Sequence, residues 1–113
     1  MGVLTVILQV VLGLAFLGAG GSKLAGARQM KGDFDRFGYP RWFMYFTGGL
    51  ETVAALGVLA GIFVPVLALL GGLLLVATMV GAIATHVRMK DPGSKIASPA
   101  ILLSLAIIVL ILI

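Results

Sequence analysis

The chain has 113 residues, of which 11% are charged and 61% are hydrophobic, and its mean hydropathy is +1.22. Soluble domains have about a quarter of their residues charged and a little under half apolar, so this composition excludes an ordinary soluble domain and indicates an all-α integral membrane protein. The net charge is +4. Because a bias of basic residues toward membrane loops explains this charge, we do not expect nucleic-acid binding.

Four apolar segments are long enough to cross a hydrocarbon core of about 30 Å as helices, which takes roughly 20 residues. They cover residues 3–22, 42–62, 65–87 and 97–113. The pattern predicts one transmembrane four-helix domain over residues 1–113. No positive charge precedes the first segment, and its apolar run exceeds that of a signal peptide, so we interpret it as a retained span.

The first span has one polar face. Small and polar residues recur there at steps of three or four, which places them on one side of a helix, and we expect this side to face other helices. Its members are Gln9, Gly13, Phe16, Gly20 and Lys23.

The connections are marked by basic residues. Residues 23–41 hold five of the eight, and residues 88–95 hold the other three. The positive-inside rule therefore predicts that both connections are cytoplasmic and that both termini lie outside. The aromatic residues of the first connection predict that it lies along the head-group layer, with Trp42 and Tyr45 as anchors for the second span. Pro40 suits the first turn of that span.

Small residues predict the helix contacts of the bundle. We assign packing roles to six glycines: Gly13, Gly20, Gly48, Gly57, Gly61 and Gly81. The GxxxG pair Gly57 and Gly61 fits either a homodimer face or packing inside one bundle. In a chain with 16 glycines this motif alone does not decide between them.

The last span is aliphatic almost throughout, which makes it the predicted lipid-facing or partner-facing helix. Asp91, Pro92 and Gly93 predict a turn before it, and Ser98 with Pro99 predicts an N-cap and a first-turn proline. Only about 15 residues, or 22 Å of helix, follow Pro99. The helix therefore either thins its surroundings or begins nearer Lys95.

Glu51 follows Arg41 by ten residues, about 15 Å of helix, and so lies near the bilayer midplane. Inserting a carboxylate there costs about 2.5 to 3.5 kcal/mol. Either Glu51 is protonated, or a cation or hydrogen-bond donors compensate its charge. We hypothesise a buried polar cluster or ligand site of Lys23, Glu51 and His86, with hydroxyl groups from Thr47, Thr78 and Thr85.

Simpler interpretations exist for each member of this cluster. Lys23 at a span end can extend its amine to the head groups, His86 can be an interfacial residue without a task, and Glu51 can make a structural contact. The sequence assigns no catalytic residue and leaves enzymatic activity open. Without cysteine, ligation of haem or an iron–sulfur cluster by Cys is excluded, and the single His lacks the spacing of a zinc site.

Three stretches resemble the DoxX-like family of small four-helix bacterial membrane proteins, namely Leu12 to Gly26, Phe37 to Gly61 and Gly81 to Arg88. They contain Gly-x-x-Lys-Leu, Tyr-Pro-x-Trp and Gly-x-x-Glu in this order. The resemblance implies a four-helix bundle in the bacterial cytoplasmic (inner) membrane, with Lys23, Glu51 and His86 at motif positions. The family name comes from a subunit associated with thiosulfate:quinone oxidoreductase. Other relatives are described as parts of membrane redox complexes or as assembly and trafficking factors.

Three functions follow as hypotheses. The first is a redox-associated accessory subunit that binds a quinone-like or other small lipophilic ligand near Glu51 and His86, where protons could be exchanged; it would need a redox partner as electron carrier. The second is a non-catalytic assembly factor or membrane anchor that holds a partner protein. The third is a small proton-coupled transporter, although small multidrug transporters carry their membrane glutamate in the first span, where this chain has Gln9 and Lys23.

Overall fold

The computed structural model describes residues 2–113, and this part of the chain is helical without strands. The all-α prediction is therefore confirmed. The described residues form α1 (Val3–Leu24), α2 (Arg28–Phe37), α3 (Arg41–Ala60), α4 (Pro65–Arg88) and α5 (Gly93–Leu112).

Four of these helices, α1, α3, α4 and α5, are long and apolar enough to cross a membrane. They have 22, 20, 24 and 20 residues, which corresponds to about 30 to 36 Å at 1.5 Å per residue. They form a ring in which α3 contacts α1 and α4, while α5 contacts α4 and, less extensively, α1. The short helix α2 packs on α3 and α1 at one end. We call the half of the bundle at this end the α2 half and the opposite half the distal half.

The start of α5 differs from the expectation. Pro92, with extended backbone angles, is the N-cap, and the helix begins at Gly93, so Pro99 lies inside it. The predicted N-cap at Ser98 and first-turn position of Pro99 are wrong, whereas the alternative of a start nearer Lys95 is close. Membrane helices accept an internal proline because neighbouring groups satisfy the freed carbonyl, and the earlier start gives α5 a full membrane-spanning length.

Helix α2 was not predicted as a helix. It ends at Gly38, whose φ of 82° is the left-handed conformation that glycine adopts readily. The amides of Gly38 and Tyr39 bond the carbonyls of Asp35 and Phe34. Pro40 then serves as the N-cap of α3 rather than as a first-turn residue. This tight reversal turns α2 back against the bundle.

The distal half is held by close packing of apolar and small residues. Gly57 and Gly61 face α4, because a Cβ at either position would meet Leu67 or Ala68 of that helix. The GxxxG pair therefore packs inside the bundle. Buried members of the core include Leu12, Phe16, Ala54, Ala55, Val58, Leu75, Ala106 and Val109.

Gln9 makes a polar contact in the distal half. Gln9 is fully buried on α1, and its amide donates to the carbonyl of Val58 at 3.1 Å. That carbonyl lies in the last turn of α3, where helices leave acceptors unsatisfied. Helix α5 is the most exposed of the four spans, because only 17% of its apolar stretch is buried. The prediction that α5 faces lipid or a partner agrees with this exposure.

Candidate functional site

Lys23 and Glu51 form an ion pair between α1 and α3, with 2.9 Å between Nζ and Oε1. Two glycines bring the helices together for it. A Cβ on Gly20 would lie 2.7 Å from the carbonyl oxygen of Gly48, and a Cβ on Gly48 would lie 2.7 Å from the Cβ of Lys23. The two motifs Gly-x-x-Lys and Gly-x-x-Glu thus act as one unit: each glycine permits the approach, and the residue three positions later makes the pair.

The pair is buried and incompletely satisfied. The Glu51 side chain is 3% exposed and that of Lys23 is 15% exposed. Among residues 2–113, the second carboxylate oxygen, Oε2, is buried without a hydrogen-bond partner. A buried acceptor of this kind costs about 1 to 3 kcal/mol, more for a charged group. The site therefore favours a further hydrogen-bond donor at Glu51.

His86 belongs to a second cluster, centred on Asp91. The Nδ1 of His86 lies 2.6 Å from Oδ2 of Asp91, and the guanidinium of Arg36 binds both oxygens of the same carboxylate, at 2.7 and 3.0 Å. An ionised carboxylate only accepts hydrogen bonds, so Nδ1 of His86 carries a hydrogen in this contact. Asp91 thereby connects α2 to the end of α4.

The acidity of Asp91 follows from these contacts. The hydrogen bonds from Arg36 and, second, from His86 stabilise the carboxylate and lower the pKa of Asp91 from 3.8 to about 2. The same contact with Asp91 raises the pKa of Arg36. The Asp91 carboxylate therefore stays charged at every physiological pH.

Two more contacts join the end of α2 to α4. The hydroxyl of Thr85 donates to the carbonyl of Gly81 at 2.8 Å, so the Tyr39 hydroxyl is the donor in its 2.9 Å bond to Thr85. Arg88 donates to the carbonyl of Phe37 at 2.7 Å and lies over the Tyr39 ring, 5.1 Å from its centroid. We call the contacts of Arg36, Tyr39 and Phe37 with α4 and Asp91 the α2 latch.

A cavity of about 690 Å³ lies between the two clusters in the α2 half. This volume is within the range of about 300 to 1,000 Å³ that small-molecule sites occupy. Aromatic and aliphatic side chains dominate its wall, and polar groups reach it from both clusters. The polar wall residues include Lys23, Glu51, Thr47, Thr78, Thr85, His86, Tyr39, Arg36 and Lys95.

The sequence model of the DoxX-like family matches residues 7–109. The chain belongs to the DoxX-like family. Together with the four apolar helices, this membership makes it a multi-pass membrane protein. No curated protein and no solved structure matches the chain.

This DoxX-like protein brings some of the predicted site residues together and separates others. Lys23 meets Glu51, whereas the partner of His86 is Asp91. The hydroxyls of Thr47 and Thr78 donate to carbonyls of their own helices, those of Met44 and Leu75. All six predicted site residues line the cavity, namely Lys23, Thr47, Glu51, Thr78, Thr85 and His86.

The predicted packing glycines behave unequally. Five of them approach a neighbouring helix closely: Gly13, Gly20, Gly48, Gly57 and Gly61. Gly81 does not, because nothing lies within 4 Å of a Cβ at this position. Its assignment as a packing residue is therefore wrong, since it borders the cavity where the helices are apart.

Sequence reasoning missed Asp91, Arg36 and Tyr39 as site residues. Asp91 was interpreted only as part of a turn, and Arg36 only as a loop charge. Arg36 and Asp91 are 55 positions apart, so no local sequence pattern predicts that they form a pair. A useful signal was available in Asp91 itself, because it is the acidic residue nearest in sequence to His86.

Proposed function

We propose that this DoxX-like protein is an accessory membrane subunit that binds a quinone-like or other small lipophilic ligand in the cavity of the α2 half. The observation that carries the proposal is the Lys23–Glu51 pair in the cavity wall, with Oε2 of Glu51 buried and unpartnered. Ligand pockets are mostly apolar with a few well-placed polar groups, and this cavity has that character.

The chemistry of the pair suits a carbonyl or phenolic head group. An ammonium group has three donors, and the contact with Glu51 leaves Lys23 able to donate to a ligand carbonyl. Oε2 of Glu51 can accept from a hydroxyl of the reduced ligand. The carboxylate is then a candidate proton acceptor during oxidation of that head group, and His86 in the same wall is a second.

The electrons released in such an oxidation would be accepted by a redox partner protein. We propose α5 as its docking helix, because the apolar surface of α5 is the least covered by the rest of the chain. In this proposal the protein lies in a bacterial inner membrane with the α2 half toward the cytoplasm. The positive-inside rule supports this orientation, because the two basic connections are then cytoplasmic and both termini lie outside. A non-catalytic assembly role would use the same surface of α5.

The packed distal half favours ligand binding over transport. Buried side chains such as Leu12, Val58 and Leu75 fill the interior there, and a proton-coupled transporter would have to open this layer in each cycle. Access from the α2 half alone is sufficient for an accessory ligand-binding subunit.

Extraction and a binding assay test the proposal. Organic extraction of protein purified from native membranes, followed by mass spectrometry, should reveal a quinone or a related lipophilic compound. Binding of a benzoquinone with a decyl chain should quench the fluorescence of Trp42, the only tryptophan, whose ring contacts that of Phe43 in the cavity wall.

The variant Glu51→Gln should weaken this binding by roughly tenfold, the loss of about 1.4 kcal/mol. The matched control is Asp35→Asn, because Asp35 is exposed on α2 and does not line the cavity. Equal affinity of wild type and Glu51→Gln would contradict the site.

A further inference from the structure

We propose that the cavity opens sideways into the bilayer through a portal between α3 and α4, and that the ligand is an amphiphile whose hydrocarbon chain lies in this portal. The portal is formed by Phe46 and Leu50 of α3 with Leu74, Ala77, Thr78 and Gly81 of α4. This inference rests on the proposed function and specifies the ligand class of the same site.

Glycines bring α3 and α4 close together in the distal half. A Cβ on Gly71 would lie 2.6 Å from the carbonyl oxygen of Ala54, and one on Gly57 would lie 3.2 Å from that of Leu67. Gly61 likewise has no room beside Ala68. Small residues let helices approach, so this seam is closed in the distal half.

In the α2 half, residues of α3 and α4 that line the cavity are exposed. Phe46 lines the cavity and is nevertheless 53% exposed. Ala77 and Gly81 also line it and are also exposed, and Gly81 has open space where a side chain would be. Residues that border a cavity and the outer surface at once mark its opening. Because the surface of a spanning helix faces acyl chains, this opening leads into lipid.

The cavity also reaches the surface between α2 and α5, where its rim is polar: Gln29, Ser94, Lys95 and Ser98 line it and are exposed. The remaining sides are closed. The α1–α3 seam is closed where Gly20 meets Gly48. Between α1 and α5, the wall includes Phe16 and Pro99, which are both buried. The α2 latch covers the end, and the apolar core fills the distal side. Because a hydrocarbon chain would desolvate the ammonium and hydroxyl groups of the α2–α5 rim without bonding them, the apolar α3–α4 seam is the exit that suits such a chain.

The portal and the ion pair together define the ligand. Leu50 immediately precedes Glu51, so a head group at the carboxylate has the portal beside it. The portal is apolar apart from Thr78, whose hydroxyl is already bonded to the carbonyl of Leu75, and it offers a chain only dispersion contacts. The geometry thus fits a hydrogen-bonding ring that carries an alkyl or isoprenoid chain, with the ring inside and the chain in the bilayer.

Side chains that fill the portal test this assignment. The variant Gly81→Leu/Ala77→Phe places bulk in the opening without touching Lys23 or Glu51. The control is Gly18→Leu/Ala84→Phe, because Gly18 also has nothing within 4 Å of its Cβ position and both control residues are exposed outside the cavity wall. Two probes are compared by Trp42 quenching in nanodiscs: a benzoquinone with a decyl chain, and the same ring with a methyl group in place of the chain.

We expect the portal variant to bind the decyl probe at least about tenfold more weakly than wild type, a loss of about 1.4 kcal/mol, and to bind the methyl probe as wild type does. The control variant should bind both probes normally. Unchanged binding of the decyl probe by the portal variant would overturn the portal while leaving the proposed function intact. Loss of both probes from the portal variant would overturn the assignment of a chain to this seam. Failure of wild type to bind either probe would overturn the proposed function itself.

Discussion

The two halves of this bundle are built by different means. In the distal half, small residues let the helices approach, apolar side chains fill the interior, and the buried Gln9 amide donates to a helix-end carbonyl. In the α2 half, α3 and α4 are separated by a cavity, and ionic contacts hold the elements together. The distal half is therefore a close-packed core, whereas the α2 half encloses a cavity between charged contacts.

The division is also visible along a single helix. On α4, Gly71 is pressed against α3, whereas Gly81, further along the same helix, faces open space. Glycine content alone therefore does not indicate packing in this protein. What differs is the opposite surface: Ala54 and Val58 at one level, Phe46 and the cavity at the other.

The largest expected effect comes from unpairing the buried carboxylate. Lys23→Met should lower the free energy of unfolding by about 3 to 5 kcal/mol, because removing one partner leaves a buried charge without compensation. Thermal unfolding in detergent measures the change. The double variant Lys23→Met/Glu51→Leu should recover most of the loss; if it is no more stable than the single variant, the ion pair is not what holds α1 to α3 at this level.

A smaller effect is expected from overfilling the packed half. Gly71→Leu places a side chain against the backbone of Ala54 and Val58, and overpacking costs about 1 to 3 kcal/mol. Gly81→Leu is the matched control in the other half and should be neutral or slightly stabilising, since glycine is a poor helix former. Equal destabilisation by both substitutions, measured by thermal unfolding, would contradict the difference in packing between the two halves.

A still smaller effect is expected at the polar contact of the distal half. Gln9→Leu keeps the volume but removes the donor to the Val58 carbonyl, which should cost about 1 kcal/mol. Ser104→Ala serves as a control, because Ser104 is exposed and bonds only the carbonyl of Ala100 in its own helix. Backbone amide exchange at the end of α3 should rise in Gln9→Leu and stay at the wild-type rate in Ser104→Ala.

The smallest effect is a local one, and it depends on pH. Because the pKa of Asp91 is lowered in the folded state, its carboxylate stabilises the α2 latch above the ordinary value of 3.8. This contribution is lost as the pH falls from 3.8 toward about 2. The protection of the α2 amides against hydrogen exchange, taken relative to the intrinsic exchange rate at each pH, should therefore fall over this window in wild type.

In Asp91→Asn, this protection should already be lower than in wild type at neutral pH and should change little on acidification. A fall of equal size in the variant would assign the acid sensitivity to another carboxylate, such as Asp35, which pairs with Arg41 at 3.4 Å.

Hydropathy and small-residue spacing were sufficient to predict four spans, the inward face of α1 and the meeting of Lys23 with Glu51. These features repeat at helical intervals and are therefore visible in one sequence. The α2 helix was missed because its ten residues are mostly polar, so it has no apolar run long enough to signal a span. Its contacts with the rest of the chain include the buried Phe34 side chain and the ion pair of Arg36 with Asp91.

The remaining errors have a common physical origin. His86 was assigned to Glu51 because both are polar groups of inward faces, but a residue near the end of α4 reaches the following turn more easily, and Asp91 lies there. The start of α5 was placed at Ser98 because a proline usually marks a helix beginning. Long-range pairing and tolerance of an internal proline both depend on neighbours that a single chain's local pattern does not reveal.

Pro99 has a mechanical consequence for α5. Its ring nitrogen has no hydrogen to donate to the carbonyl of Lys95, four residues earlier. The stretch from Gly93 to Ser98 is therefore joined to the rest of α5 by one fewer backbone hydrogen bond. After Pro99, the side chains of Ala106 and Val109 are buried and pack α5 against the bundle. We therefore expect the stretch before it, which supplies Ser94, Lys95 and Ser98 to the rim of the cavity, to bend more readily than the remainder of α5.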